Sequence, residues 1–262
     1  MNYVVCLKQV PDTRNIMQDE KTGSLIRESA GSITNPNDHN ALEACLQVRE
    51  RFGGVINAIT MGPKQARACL RNALALGVDE AFHMRDNLFS GADVLITANT
   101  LALGIKNIGL PDIIFCGKQS IDGDTGQVGA ELAEILGYSH VYYVSEIIDV
   151  RDKEIIVISK MGRNTEKIKV KLPTILSIDN ESFKPRVSSY RDKIMAQKII
   201  LKIITKKDID DNNENNFGYQ ASPTRVNRIF MPKAFRKGKI LSGSTSQNVD
   251  LILERISNWE EQ

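Results

Sequence analysis

An apolar run, Ile113-Ile114-Phe115, passes directly into Cys116-Gly117-Lys118-Gln119-Ser120-Ile121-Asp122-Gly123-Asp124-Thr125-Gly126-Gln127-Val128-Gly129 and then into the helical spacing of Leu132, Ala133, Ile135 and Leu136. A buried strand, a glycine-rich polar loop and a helix start, in that order, restrict the fold more than any other feature of the chain. The same order builds an anion cradle, because the unpaired N–H groups of a first helical turn point outward and the helix dipole favours negative charge there. Glycines allow close backbone approach and positive φ. Asp124 and Thr125 are good capping residues and are expected to start the helix.

The loop does not follow GxxxxGK[ST], since its lysine comes after the first glycine, and it is not GxGxxG. On spacing alone, a glycine-rich connection with no ligand stands beside the cradle reading. Asp122 and Asp124 repel an anion, so backbone donors must carry any phosphate contact, with Thr125 and Gln127 as neutral helpers. Lys118 reads equally well as a solvated lysine.

The remaining N-terminal half repeats one alternation. Residues 3–10 and 55–61 are strand-like, and Glu80–Met84 is a short strand. Between them lie helical patterns: Ala41, Leu42, Cys45 and Val48 after Asn35-Pro36-Asn37-Asp38, then Ala66, Cys69, Leu70, Ala73 and Leu74 after Gly62-Pro63. Asp93 opens a third helix with Leu95, Ala98, Leu101, Ala102 and Ile105 on one face. Strands alternating with amphipathic helices predict an α/β fold, a mostly parallel sheet with helices on both faces. Ligands of such sheets sit beyond the carboxyl ends of the strands. Segments 6–10, 34–38, 61–63 and 116–128 fall at those ends and are expected to converge on one crevice.

From about Val141 the pattern changes to antiparallel. Residues 141–144, 147–150, 154–158 and 166–172 read as strands with short turns, and Lys167-Ile168-Lys169-Val170-Lys171 alternates strictly. Residues 174–178 add one buried strand. Beyond Asp179 regularity thins to a helix near 190–197, a polar tract at 210–216 unable to form a core, a basic stretch at 232–243 and an amphipathic helix from about Ser246 through Val249, Ile252, Leu253 and Ile256. This tail reads as an arm that wraps a partner.

Composition narrows the function classes. A net charge of +2 gives no ground for nucleic-acid or membrane binding, and no apolar stretch reaches ~20 residues. Cys6, Cys45, Cys69 and Cys116 are scattered inside apolar patterns and read as buried free thiols of a reducing, cytoplasmic setting. His39, His83 and His140 share no ligand spacing with them, so no metal site is expected. No nucleophile–base arrangement appears, and no catalytic residue is assigned. Cys6 and Cys116 read as small fillers beneath a ligand.

Several of these segments together resemble the beta (small) subunit of electron-transfer flavoproteins, the FixA-like family. Lys8-Gln9-Val10-Pro11-Asp12 resembles its K-x-V-P-D turn, and Asn35-Pro36-Asn37-Asp38 its N-P-x-D segment. Met61-Gly62-Pro63 with Ala73–Asp79 resembles its G-P…A-L-A-M-G-A-D segment. Gly117–Gln127 resembles its hallmark G-K-Q-A-I-D-G-D-T-G-Q, with Ser120 in place of alanine. The resemblance implies an adenine-nucleotide α-hydrolase-like domain over residues 1–180, a partner-recognition segment over 181–205 and a C-terminal arm over 206–262 that contacts an alpha subunit.

It further implies a cofactor site made of Cys6, Asn35, Pro36, Asn37, Asp38, Met61 and Cys116, with Gly117, Lys118, Gln119, Asp122, Gly123, Asp124, Thr125, Gly126, Gln127 and Val128. The occupant is FAD, with AMP as the alternative. Electron-bifurcating members carry a G-S/A-D-T-x-A-T stretch at the flavin end. Here Gly91, Asp93 and Thr97 match it, and Val94 replaces a threonine. In the recognition segment Pro185-Arg186 and Ile194-Met195-Ala196 match, with Tyr190 near the anchoring position. The implied partners are an alpha subunit, a flavin dehydrogenase of the acyl-CoA type, NADH, and ferredoxin or flavodoxin. The implied role is that of an electron carrier, with NADH oxidation only in complex. Two other classes stand beside it: an ATP-dependent α-hydrolase-type enzyme, disfavoured by the lack of an S-G-G-x-D-S loop, and an adenylate-sensing module.

Overall fold

The computed structural model describes residues 1–12, 17–18, 25–26, 31–225, 227, 238 and 240–260. These fall into two compact units, residues 1–225 and residues 226–262.

In the first unit, β1 (Asn2–Cys6) is followed by β2 (Gln9–Pro11), so the expected strand over 3–10 is broken at Leu7-Lys8. β3 (Met17–Gln18) and β4 (Leu25–Ile26) pair with each other, and β5 (Ser32–Thr34) pairs antiparallel with β2. Helix α1 (Pro36–Phe52) starts with proline in its first turn, where no intrahelical N–H is needed. Next come β6 (Val55–Met61), α2 (Arg67–Ala75), β7 (Glu80–Met84), α3 (Val94–Ile108), β8 (Ile113–Gly117) and α4 (Val128–Leu136).

The second half supplies β9 (Ser139–Val150), β10 (Glu154–Met161), β11 (Asn164–Lys171), β12 (Thr174–Ile178), α5 (Tyr190–Lys198), β13 (Lys202–Ile204) and α6 (Gly218–Ala221). The two strands expected over 141–150 are one strand. Tyr143 has φ +52, and the pairing register of β9 shifts beside it against both β10 and β12. A bulge therefore bends a continuous strand, where the polar-apolar rhythm had suggested a turn. β13 was not expected; its short apolar run follows α5 and pairs with β7.

Among the described residues one sheet has nine strands, in the order β11-β10-β9-β12-β8-β1-β6-β7-β13. Pairs from β9 through β13 are parallel, while β9-β10 and β10-β11 are antiparallel. Alternate residues of the central strands face opposite ways, as the pleat requires. Tyr3, Val5 and Phe115 pack with Leu42, Leu46 and Leu70 of α1 and α2. Val4, Ile59, Ile114 and Ile175 pack with Leu101, Ile105 and Leu132 of α3 and α4. Both faces are thus covered. The lysines of β11 lie on an edge strand, where charge blocks further pairing.

The chain runs outward from β1 through β6 and β7, then returns to β8 on the other side of β1. This reversal opens a crevice at the carboxyl ends of β1 and β8, the usual ligand position of such sheets.

The polar tract 210–216 stays at the surface, but the residues flanking it do not. Ile209 and Phe217 are buried in the core on the α3 side, and the Phe217 ring lies 5.6 Å from that of Phe89. This part of the expected arm therefore belongs to the first unit. In the second unit, α7 (Thr245–Glu260) carries Val249, Ile252, Leu253 and Ile256 as a half-exposed apolar stripe. Residues 228–237 and 239, most of the basic stretch, lie outside the described residues. No helix among the described residues is long and apolar enough to cross a membrane.

Candidate nucleotide site

A cavity of about 350 Å³ occupies the crevice. Its walls come from all the strand-end segments singled out in the sequence: Cys6 and Lys8 after β1, Asn35 and Asp38 at the start of α1, Met61 after β6, and the loop from Cys116 to Gly129. The start of α3 closes it with Ala92, Asp93, Val94 and Thr97, while Ile59 and Leu101 give it an apolar floor.

Lys118 lines the cavity, but its ammonium is tied to Asn180 Oδ1 at 2.8 Å and lies 3.5 Å from Asp179. Lys8, which the sequence reading did not assign, reaches the loop instead: its Nζ bonds Asp122 Oδ1 at 2.7 Å and Ser120 Oγ at 3.2 Å. Both lysines are therefore already paired with carboxylates. Asp122 and Asp124 do not line the cavity; Asp124, at φ +54, accepts a bond from Gln119 Nε2 at 2.5 Å.

Asn37 and Pro36 lie behind the wall. Asn37 Nδ2 donates to Gln119 O at 2.7 Å, and Asn35 Nδ2 donates to the same oxygen at 2.9 Å. Asn35 Oδ1 accepts from Ile121 N at 3.3 Å. The Asn-Pro-Asn-Asp segment thus acts as a template for the glycine loop.

Asp124 and Thr125 do not cap the helix. α4 starts later, at Val128, and no side chain caps it. Its first backbone bond runs from Glu131 N to Gln127 O, and the residues ahead of that bond, Val128 and Gly129, belong to the cavity wall. Uncapped donors at a nine-residue helix's start are what an anion needs. At α3 the opposite holds. Asp93 Oδ1 accepts from Ile96 N, and its Oδ2 accepts from the N–H and hydroxyl of Thr224 at 2.9 and 2.7 Å. Burial alone raises the Asp93 carboxyl, but these bonds outweigh it and hold the group below its ordinary range. One helix start at the cavity thus has open backbone donors, and the other is capped by a carboxylate.

Cys6 and Cys116 lie beneath the cavity. Contact with the Cys6 thiol, then burial, pushes the Cys116 thiol well above its usual range. It stays protonated, as a filler rather than a nucleophile. All four cysteines are free, and no group of side chains among the described residues has a metal-ligand arrangement.

Asp38 carries the sharpest electrostatic signature. It accepts from Lys8 N at 2.7 Å and Asn35 Nδ2 at 2.8 Å, yet burial pushes its carboxyl up to about 7. A folded-state value above the unfolded one means that the native chain holds more protons between about pH 4 and 7, so stability declines as pH rises through that window. We expect the urea midpoint of the wild-type protein to fall between pH 5 and 7, and Asp38→Asn to flatten that slope. A slope unchanged by the substitution would assign the titration elsewhere.

A model of the electron transfer flavoprotein domain matches residues 22–202. The chain is 40% identical over 259 residues to the electron transfer flavoprotein subunit beta of Thermoanaerobacterium thermosaccharolyticum, covering 98% of each. The chain belongs to the electron transfer flavoprotein beta-subunit family. It is also 42% identical over 250 residues to subunit CarD of the caffeyl-CoA reductase–Etf complex of Acetobacterium woodii, covering 95% of each. With protein FixA of Azorhizobium caulinodans it shares 35% identity over 263 residues, covering 98% of this chain and 94% of the relative. Membership in a family of electron transfer flavoprotein beta subunits implies an alpha-subunit partner and a place in a redox complex.

Proposed function

We propose that this chain is the beta subunit of a heterodimeric, electron-bifurcating electron transfer flavoprotein, with FAD in the cavity. The carrying observation is that the hallmark loop and the Ala92–Thr97 stretch line one cavity. The uncapped start of α4, with Gly126 to Gly129, holds the phosphates by backbone N–H groups. Thr125 and Gln127 add neutral donors, and the apolar floor at Ile59 and Leu101 receives the adenine. Thr97 and the Ala92-Asp93 backbone meet the ribityl end. Two features support the fit: a Cβ at Gly123 would meet no atom closer than Ser120 Oγ at 3.9 Å, and among the described residues the two lysines of the wall, Lys8 and Lys118, are each paired with a carboxylate. Bound there, FAD supplies hydride acceptance from NADH and delivery of single electrons, one toward ferredoxin or flavodoxin and one toward the alpha subunit's flavin.

The chain's own residues set position. Tyr190, Ile194 and Met195 on α5 are 81%, 45% and 52% exposed, as suits anchors for a flavin dehydrogenase, and the apolar stripe of α7 suits the alpha subunit. The relative named for a caffeyl-CoA reductase–Etf complex supports a partner acting on CoA thioesters. The setting that fits these partners is the cytoplasm.

A second reading, AMP in the same place with no bifurcation, is favoured by Val94, whose side chain has no hydroxyl where the resemblance calls for a threonine. Cofactor analysis of the heterodimer purified after co-expression separates the two. Two FAD per heterodimer is the expected result; one FAD plus one AMP would establish the second reading.

A further inference from the structure

The glycine loop is closed at its neck by a residue outside every motif that the family resemblance rests on. Tyr142 lies on β9, where Tyr143 at φ +52 makes the bulge. Its hydroxyl sits 2.5 Å from Lys118 O and 3.0 Å from Gly126 O. Lys118 is the first residue after β8, and Gly126 ends the polar loop just before α4. One phenol proton is thus shared between carbonyls at the two ends of the loop, while the cavity-lining Gln119, Ser120, Gly123 and Thr125 lie between them.

The fit is close on both sides. A Cβ at Gly126 would stand 2.5 Å from the Tyr142 hydroxyl, and Gly126 itself has φ +64. The ring is held from behind by edge contacts with His140 at 5.6 Å and Tyr143 at 4.4 Å. The backbone is fixed by Ser159 Oγ donating to Tyr142 O at 2.8 Å. Tyr142 itself does not line the cavity.

We propose that Tyr142 is a positioning residue for phosphate: its hydroxyl latches the loop so that the uncapped N–H groups at the start of α4 are preorganised toward the anion. The bulge at Tyr143 shifts the pairing of β9 next to Tyr142. Preorganised donors need no reordering on binding, which lowers the entropic cost of holding the ligand. This inference rests on the nucleotide reading of the cavity, but not on whether FAD or AMP occupies it, since both present an adenylate phosphate.

The test uses the full-length chain co-purified with its alpha subunit and freed of beta-site nucleotide. AMP and adenosine are titrated calorimetrically into wild type and Tyr142→Phe. Loss of one shared hydrogen bond and of preorganisation should weaken AMP by roughly three- to tenfold. Adenosine, which has no phosphate, should bind both proteins equally, and a melt of each protein should show the same fold. Equal AMP affinity in the two proteins overturns the latch. So does an equal loss for AMP and adenosine, which would mark a general structural role. A wild-type protein that binds neither compound removes the nucleotide reading itself, and the latch with it.

Discussion

Gly117→Ala should unfold the site, lowering stability by about 3 kcal/mol and emptying the heterodimer of beta-site nucleotide. Gly117 ends β8 against the start of α1. A Cβ there would stand 2.4 Å from Asp38 Oδ1, 2.8 Å from the carbonyl carbon of Asn37 and 2.9 Å from Asn37 O. Two of these three atoms are backbone, inside a helix start whose side chains are bonded to the glycine loop. The two backbone atoms have no flexible end that can give way, and the Asp38 carboxyl is held by Lys8 N and Asn35 Nδ2. Relief requires α1 to move off the sheet, which breaks the Asn35 and Asn37 bonds to Gln119 and releases the loop. Thermal unfolding and nucleotide content of the purified variant check this, with a fall in melting temperature of roughly 6–12 °C for a domain of this size. A variant within 1 kcal/mol of wild type that retains its nucleotide would show that the strand end yields instead.

The second large effect lies in the segment proposed for partner recognition. Arg186 fastens the segment leading into α5. Its Nε donates to Glu43 Oε2 at 2.8 Å and its Nη2 to Glu43 Oε1 at 2.9 Å, its backbone N–H adds a third bond to Glu43, and its Nη1 and Nη2 hold Glu50. The Glu43 side chain is only 5% exposed. Burial alone raises its carboxyl, yet the bonds from Arg186 and Gln47 outweigh burial and hold it below its ordinary 4.5. Truncation to Arg186→Ala leaves a desolvated carboxylate with Gln47 as its remaining side-chain donor. The arginine is itself a third exposed, so solvent softens the loss to about 2 kcal/mol, below the range for a fully buried pair.

The sign with pH follows from a depressed carboxylate. The clamp contributes above the unfolded value of Glu43, and its contribution is lost as pH falls through the lower folded value. Hydrogen exchange should therefore show residues 185–199 losing protection in Arg186→Ala at pH 7, while the wild-type and variant proteins converge as pH falls below the ordinary carboxylate range. Equal protection in both proteins at pH 7 would mean that α5 is held by its packing on α2 and by Arg71, whose guanidinium donates to Ala196 O and Ile199 O.

Much of the fold follows from local rules. The continuous apolar runs of Tyr3–Val5 and Ile113–Phe115, and the helical spacing of Leu42, Cys45 and Val48, are properties of neighbouring residues, so elements and sheet type were legible. The convergence of the strand-end segments was legible too, because a parallel sheet leaves its ligand no other usual place. Side-chain roles were not. Lys118 looks like the phosphate lysine because it sits in the loop, yet Asn180 and Asp179 claim its ammonium. Lys8, 114 positions from Asp122, carries the contact with the loop. Asp124 and Thr125 have the chemistry of caps, but the turn at Gly126 delays the helix to Val128 and leaves its first donors to the cavity.

The alternation of strand and helix, the glycine loop, the family and the segments that form the site can all be read along the chain, since each is written in short-range pattern or wording. Which helix start is open and which is closed emerges from packing alone: α4 has no side-chain cap, whereas α3 has Asp93, itself bound by Ser222 and Thr224 from far along the chain. Packing likewise puts Tyr142 under the loop and Phe217 in the core. These outcomes depend on contacts between residues remote in sequence, whose free energy is settled by shape and burial after the elements assemble, and no local pattern encodes them.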